Sequence, residues 1–252
     1  MKVAYFDCFS GIAGDMILGA LVDLGLDIAV LRKELQKLPL KGYSIKAQAV
    51  KCNQISATDV SVDVTKDQHH RHLSDIVALL GSSMLDSEVQ QLSKRIFTNL
   101  AKAEAAVHKT SIEEVHFHEV GAVDSIIDIV GAVVGIHLLG IKKIYCSPLP
   151  LGHGFVTCSH GILPLPAPAT VELLKGIPVY SVDRSQETVT PTGAAIITTL
   201  AEKFGEMPPM KITKIGYGSG KIPSEYPNLL RVFLGESGRK HQKSQKEKNT
   251  LN

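Results

Sequence analysis

Residues 2–25 read KVAYFDCFSGIAGDMILGALVDLG. The apolar run Lys2–Phe6 predicts a short strand, and the apolar residues of Met16–Leu24 recur at helical spacing. Gly25 stands where such a helix would end. The chain is therefore expected to open with a strand, a glycine-containing turn and a helix.

Strands and helices continue to alternate after this unit. The pattern predicts helices over Ile28–Leu38, Leu73–Leu80, Glu88–His108, Val120–Leu139, Ala169–Leu174 and Ala194–Phe204. It predicts strands over Tyr43–Val50, Ile55–Val64, Lys142–Leu149, Lys211–Tyr217 and Leu229–Leu234. Residues 150–168 are rich in proline and glycine and predict a long, functional loop. We expect an α/β or α+β fold, in which a mixed sheet has flanking helices and this long Pro/Gly-rich loop.

Composition sets the class of protein. The chain has 252 residues, of which 44% are hydrophobic and 21% are charged, as in a globular protein. Residues 237–252 carry a net charge of +4 and residues 1–236 carry −2. These charges predict one globular domain over residues 1–236, followed by a basic, disordered tail. An acidic body without tryptophan argues against a nucleic-acid partner.

Two further observations concern the cellular environment. The four cysteines are far apart in sequence, so they form neither a disulfide framework nor a zinc ribbon, and a reducing cytoplasm is expected. The most membrane-like stretch, Val120–Ile141, contains Asp124 and Asp128, and its charge-free part is too short to span a bilayer. We therefore expect no membrane partner.

The turn after the first strand is the first candidate site. Ser10, Gly11 and Gly14 can present backbone N–H groups to a phosphate, although no P-loop or dinucleotide fingerprint is present. Asp7 and Asp15 can bind a divalent cation that bridges to such a phosphate. The alternative is a plain turn in which Asp15 only stabilises the helix N-terminus.

A histidine tract is the second candidate. His69, His70 and His72 lie on a polar connector, and neutral imidazole is a common ligand of transition metals. The tract predicts metal collection, with a solvated loop as the alternative.

The segment from residue 113 to residue 128 holds the densest cluster. His116 and His118 share one side of an extended segment, and Asp124 and Asp128 share one face of the following helix. That helix contains no Lys or Arg to pair with the two acids, and an unpaired buried acid is costly. Capping by Glu119 and Asp124 would account for Asp124 and leave Asp128 unexplained. The cluster predicts a metal or ligand site.

Two loops supply the remaining candidates. His153 and His160, near Cys158, are candidate ligands of a soft metal, or incidental residues of a proline-rich loop. Thr190, Thr192 and Gly193 begin the predicted helix over Ala194–Phe204, where free N–H groups can seat an anion or be satisfied by simple capping.

Together these motifs resemble the LarC family, the nickel insertion proteins of the lactate racemase system. The resemblance runs in order from Met1 to about Glu236. It is carried by Phe6–Asp7 with Phe9–Met16, His116–Ile126 with Asp128, Ser147–Gly152 with Gly154–Val156, Pro164 with Pro166–Thr170, and Thr190–Ala195.

The resemblance implies a nickel chelatase, or cyclometallase. Such an enzyme inserts nickel into pyridinium-3,5-bisthiocarboxylic acid mononucleotide and consumes CTP with Mn or Mg. The product is the nickel-pincer nucleotide, which apo lactate racemase receives. This chemistry requires a nickel site, a phosphate anchor and a base for a ring proton. We assign nickel collection to His69, His70 and His72, and its placement beside the substrate to His116, His118 and Asp124.

The chain departs from the family pattern in two respects. Its histidine run is short, and the resemblance implies a further C-terminal domain that bears the CTP site. We therefore expect the chain to act with a C-terminal fragment or as part of a full-length product. We also expect it to form a homo-oligomer. A nickel storage or delivery protein and a different metal-dependent hydrolase are the alternative functions. The first would ignore CTP, and the second would act without nickel.

Overall fold

The computed structural model describes residues 1–65, 71–117, 122–158 and 161–237. In the first half of the chain the elements are β1 (Lys2–Asp7), α1 (Gly14–Asp23), α2 (Ile28–Leu35), β2 (Tyr43–Cys52), β3 (Ile55–Val64), β4 (Arg71–His72), α3 (Leu73–Gly81), α4 (Ser87–His108), a 3-10 turn (Ile112–Glu114) and β5 (His116–Phe117). In the second half they are α5 (Val123–Leu138), β6 (Lys143–Cys146), β7 (Leu149–Leu151), β8 (Phe155–Cys158), β9 (Gly161–Pro164), α6 (Pro168–Leu173), β10 (Val179–Ser181), α7 (Pro191–Leu200), β11 (Ala201–Phe204), β12 (Lys211–Ser219) and β13 (Leu229–Glu236).

A seven-stranded mixed sheet organises these elements, in the order β11-β6-β1-β13-β12-β3-β2. Strands β11, β6 and β1 are parallel, whereas β13 runs antiparallel to both β1 and β12. The prediction of a mixed sheet with flanking helices is confirmed. In the parallel part, β1 is buried along nearly its whole length because the neighbouring strands and helices cover both of its faces.

Helix α1 lies directly on the sheet, because small residues let the two backbones approach. Gly19 faces the carbonyl of Thr58 on β3, and Gly216 and Gly218 on β12 face the backbone of α1. Gly25 has a φ of +106° and directly follows Leu24, the C-cap of α1, as expected for the end of this helix. Helix α5 packs on α1 and α4, and its residues from Ile126 to Ile136 supply much of the core.

The structure differs from the expected elements by the added short strands β4 and β10 and in two longer stretches. Residues 149–164, predicted to be mostly loop, contain β7, which pairs with β10, and the hairpin β8–β9. The prolines at positions 150 and 164 occupy short strands outside the main sheet, where a missing N–H is tolerated. The predicted helix over Ala194–Phe204 ends at Leu200, and its last four residues form β11 because they pair with β6.

None of the helices in the described part of the chain has the length and hydropathy of a membrane span. The four cysteines are free, and the buried sulfurs of Cys8 and Cys146 lie 3.5 Å apart. The basic tail lies beyond Ser237, outside the described residues.

Candidate functional site

Candidate residues of the turn after β1 and of the segment before α7 lie at one end of the sheet. Asp7 ends β1, and the parallel neighbour β6 ends at Cys146, which pairs with Phe6, the residue before Asp7. Helices α1 and α7 begin beside this edge. In α/β proteins, ligands bind outside the carboxyl ends of parallel strands, and helix N-termini there favour anions.

Three of the sequence motifs meet at this edge through backbone contacts. The N–H of Ile12 donates to the carbonyl of Thr188 at 2.8 Å, and the N–H of Thr190 donates to the carbonyl of Ile12 at 3.1 Å. The Thr188 hydroxyl donates to the carbonyl of Pro150 at 2.7 Å and accepts from the N–H of Gly152 at 3.0 Å. The turn after β1, the segment before α7 and the loop after β7 therefore form one unit.

Two glycines of this unit are explained by close packing. A Cβ on Gly11, whose φ is +118°, would overlap the carbonyl of Thr188. A Cβ on Gly193 would overlap the carbonyl of Ile12. The Gly193 N–H donates to the cap residue Thr190 at 3.1 Å, and Thr192 is buried. The start of α7 is thus packed against the turn after β1.

Asp7 is paired with an arginine that sequence reasoning did not identify. Arg231 of β13 donates from Nε at 2.9 Å and from Nη2 at 2.5 Å to the same Asp7 oxygen, Oδ2. The guanidinium also lies against the rings of Phe9 and Phe233, with centroid distances of 5.4 and 5.0 Å. The antiparallel register of β1 and β13 sets Asp7 opposite Arg231, which sequence spacing cannot reveal.

Asp15 and Asp128 form the most unusual electrostatic feature of the site. Asp128 lies against Gly14, where a Cβ would come within 2.5 Å of Oδ2, and its Oδ1 is buried without a hydrogen-bond partner among the described residues. Burial raises the pKa of Asp15 to about 6. Burial, together with the charges of Asp15 and Asp124, raises the pKa of Asp128 well above its ordinary value. The sequence predicts acids on α5 without a Lys or Arg partner, and the structure has such an acid in Asp128.

Lys221 is the cation whose charge acts on this acid pair. Its Nζ forms an ion pair with Asp59 of β3 and donates to the carbonyl of Val60 at 2.9 Å. The charge of Lys221 lowers the pKa values of both Asp15 and Asp128, and this effect is smaller than that of burial. Asp124 is exposed in the first turn of α5, and its Oδ1 accepts from the N–H of Ser125 at 2.8 Å.

His72 of the histidine tract and His116 lie on paired strands. Strands β4 and β5 pair antiparallel, with His72 opposite His116 and Arg71 opposite Phe117. The Nδ1 atom of His72 lies 3.1 Å from the carbonyl oxygen of Val115. Phe117 is buried and packs edge-on against Phe97 of α4, which anchors β5 to the core. Two residues separated by more than 40 positions in sequence are thus brought together by the pairing of β4 with β5.

His153 lies on the segment that joins β7 to β8. Its Nε2 atom is 3.0 Å from Asp183 Oδ1, and both side chains are exposed. Five candidate residues lie outside the described residues: His69, His70, His118, Glu119 and His160.

Arg184 is a second arginine that the sequence did not single out. Its Nη1 donates to the Ser10 hydroxyl at 2.6 Å and to the Ser10 carbonyl at 3.3 Å. Arg184 lies in a segment without regular secondary structure, more than 170 residues from Ser10 in sequence. No spacing rule connects the two residues.

Two other features lie away from this edge. Asp86, Glu88 and His137 are exposed, and their ligand atoms lie within 4.8 Å of one another. A cavity of about 600 Å³ between α2 and β2 is lined by residues that include Arg32, Tyr43 and Ile45, and by none of the candidate residues.

Comparison with known proteins identifies relatives over nearly the whole chain. The profile of the family described as "Nickel insertion protein" matches residues 4–251. Two proteins of Desulfitobacterium hafniense, from strains DCB-2 and Y51, are each 52% identical over 94% of this chain and 59% of their own length. Both are named pyridinium-3,5-bisthiocarboxylic acid mononucleotide nickel insertion protein.

A protein of Dictyoglomus thermophilum, whose name assigns it provisionally to nickel insertion, is also 52% identical, over 94% of this chain and 61% of its own length. The chain thus spans about three fifths of the length of these curated relatives. No solved structure matches the chain.

Proposed function

Because the chain belongs to the nickel insertion protein family, we propose that it inserts nickel into pyridinium-3,5-bisthiocarboxylic acid mononucleotide, the compound in the names of two relatives. The product would be the nickel-pincer nucleotide of lactate racemase. The observation that carries the proposal is the pairing of β4 with β5. It sets His72 opposite His116, seven residues before the start of the helix that carries Asp124 and Asp128.

Nickel is the cargo of this reaction, and imidazoles are suitable ligands for it. In our proposal, His69, His70 and His72 collect the ion. It then passes to His116 and His118, with Glu119 available as a carboxylate ligand. The register of β4 and β5 supports such a transfer because it joins the two motifs without a long intervening path. His153 and His160 remain further candidate ligands on the loop after β7.

The acid pair would handle the ring proton. Metallation of a ring carbon breaks a C–H bond. The electron pair of that bond forms the carbon–nickel bond, and the released proton needs an acceptor. Asp128 suits this role because its Oδ1 is unpartnered and its raised pKa makes it a stronger base than an exposed carboxylate. Asp15 and Asp124 contribute negative charge beside it.

The same edge would hold the phosphate of the substrate. We assign this role to Ser10, Gly11 and Gly14 at the start of α1, and to Thr190, Thr192 and Gly193 at the start of α7. Asp7 and Asp15 are the candidates for a bridging divalent cation. Asp7 has one oxygen engaged by Arg231.

We further propose that CTP, with Mn or Mg, is bound by the C-terminal part that the longer relatives have in addition to the matched region. The chain would act together with that part, in the cytoplasm and as a homo-oligomer. Apo lactate racemase would receive the product.

A reconstituted insertion reaction tests the proposed function. The chain is combined with the C-terminal part of a relative, the substrate, nickel, CTP and Mn, and nickel-bearing nucleotide is quantified by mass spectrometry. We expect product from the wild type and none from the double variant His116→Ala/His118→Ala. The control is His108→Ala, at the end of α4. Undiminished product from the double variant would contradict the site assignment.

A further inference from the structure

Arg184 is held against the turn that follows β1. Its guanidinium donates to both oxygens of Ser10, a residue with only 2% of its surface exposed. The planar group also lies over the ring of Tyr226, 4.8 Å from the centroid. The side chain is half-buried and has a fixed place beside the start of α1.

The backbone around Arg184 is also fixed. Its N–H donates to the carbonyl of Val182, and its carbonyl accepts from the N–H of His153, both at 2.9 Å. Gly152 allows this close approach, because a Cβ there would come within 2.8 Å of the Arg184 carbonyl oxygen. A residue held in this way can meet a ligand with little loss of conformational entropy.

The charge of Arg184 distinguishes it from the other cations that contact the site. Arg231 is neutralised by Asp7, and Lys221 by Asp59. Among the described residues, no carboxylate forms an ion pair with Arg184. Its contacts with Ser10 engage Nη1, and no acceptor in the described part of the chain engages the donors on Nε and Nη2. A half-buried guanidinium without a carboxylate is suited to an anionic ligand.

On the basis of the proposed function, we infer that Arg184 binds the phosphate monoester of the pyridinium mononucleotide. The guanidinium can donate two parallel hydrogen bonds to phosphate oxygens, a geometry that lysine cannot reproduce. The Ser10 hydroxyl lies next to the guanidinium, and helix α1 begins four residues later, so its N-terminus favours the same dianion. Arg184 would thus select the phosphorylated substrate over the riboside.

Isothermal titration calorimetry of the full chain tests this inference with two probes. Nicotinic acid mononucleotide carries the pyridinium ring, the ribose and the phosphate, and nicotinic acid riboside lacks only the phosphate. We expect wild type to bind the mononucleotide at least about tenfold more tightly than the riboside. Arg184→Gln should lose that preference and leave riboside affinity unchanged, and Arg184→Lys should retain a part of it. The matched control is Arg95→Gln, which removes an arginine bonded to the Thr199 carbonyl on α7.

Two results would overturn the inference: equal affinities of wild type for the two probes, and an unchanged preference in Arg184→Gln. Circular dichroism confirms folding, and Arg184→Lys provides the test if the glutamine variant does not fold. Nickel binding is measured in parallel to separate this inference from the proposed function. Loss of phosphate preference with unchanged nickel binding supports Arg184 as the phosphate ligand. Absence of nickel binding in wild type contradicts the proposed function, whatever the two nucleotide affinities are.

Discussion

At the scale of single residues, the buried carboxyl of Asp128 links stability to function. Its Oδ1 has no partner among the described residues, and the negative charges of Asp15 and Asp124 act against its ionisation. A protein that retains such a group gives up stability for a role in binding or chemistry. We expect Asp128→Asn to raise the free energy of unfolding by roughly 1–3 kcal/mol at neutral pH, while abolishing nickel insertion.

Urea denaturation and the insertion assay check this prediction together. The control is Asp124→Asn, four residues earlier on the same helix but exposed, which should change stability by less than about 0.5 kcal/mol. A strongly destabilised Asp128→Asn variant would show that the carboxyl has a structural partner.

Asp15 provides a prediction about pH. Because burial raises its pKa from 3.8 to about 6, the folded state binds the Asp15 proton more tightly than the unfolded state does. The contribution of Asp15 to stability is therefore most favourable below about pH 4, declines between about pH 4 and 6, and stays low above pH 6. We expect Asp15→Asn to match wild type near pH 4 and to exceed it above pH 6 by up to about 3 kcal/mol.

Thermal and urea unfolding across this pH range, with a metal chelator present, measures the effect. Asp63→Asn serves as the control because Asp63 forms a surface ion pair with the exposed Lys46. Parallel stability curves for wild type and Asp15→Asn would mean that Asp15 titrates normally.

At the scale of elements, the site depends on the contact between the turn after β1 and the segment before α7. Gly11 and Gly161 both have positive φ, +118° and +93°. A Cβ on Gly11 would overlap the Thr188 carbonyl, whereas a Cβ on Gly161 would have no atom of the described residues within 4 Å. Gly11→Ala should therefore lower the free energy of unfolding by roughly 2–4 kcal/mol, and Gly161→Ala by only about 1 kcal/mol.

The difference between these two variants isolates the clash, because both include the cost of a positive φ. Chemical denaturation of the pair provides the measurement. Equal losses would indicate that the two segments separate easily and do not act as one unit.

Much of this arrangement follows from the sequence, and the rest depends on contacts between distant segments. The acids Asp124 and Asp128 could be identified because no Lys or Arg lies on their helix. The pairing of His72 with His116 depends on the register of β4 and β5. No local sequence pattern predicts that register. The same holds for Arg231 opposite Asp7 and for Arg184 on Ser10, since tertiary packing alone brings those residues together.

The hairpin β8–β9 was missed for a related reason. Its strands have four residues each and lie among prolines and glycines, whose local preferences favour a loop. Strand β11 follows α7 without a break, so the sequence pattern extends the predicted helix into it. Only its pairing with β6 identifies it as a strand.

At the scale of the whole molecule, the chain spans about three fifths of the length of its curated relatives. Binding of nickel and the mononucleotide should therefore be separable from CTP consumption. We expect the chain alone to bind nickel and the mononucleotide without hydrolysing CTP. Addition of the C-terminal part of a relative should start CTP consumption. Release of CMP or CDP, measured by chromatography with and without that part, checks this prediction. CTP hydrolysis by the chain alone would place the nucleotide site within residues 1–252.

Nickel binding to the purified chain without an affinity tag tests the central claim most directly. Equilibrium dialysis against nickel with competing zinc, followed by elemental analysis, gives the stoichiometry. We predict at least one nickel per chain, lost in His72→Ala/His116→Ala and retained in His137→Ala, which disables the exposed cluster with Asp86 and Glu88. Absence of nickel binding, or binding that depends on His137 and not on His72 and His116, would contradict the account.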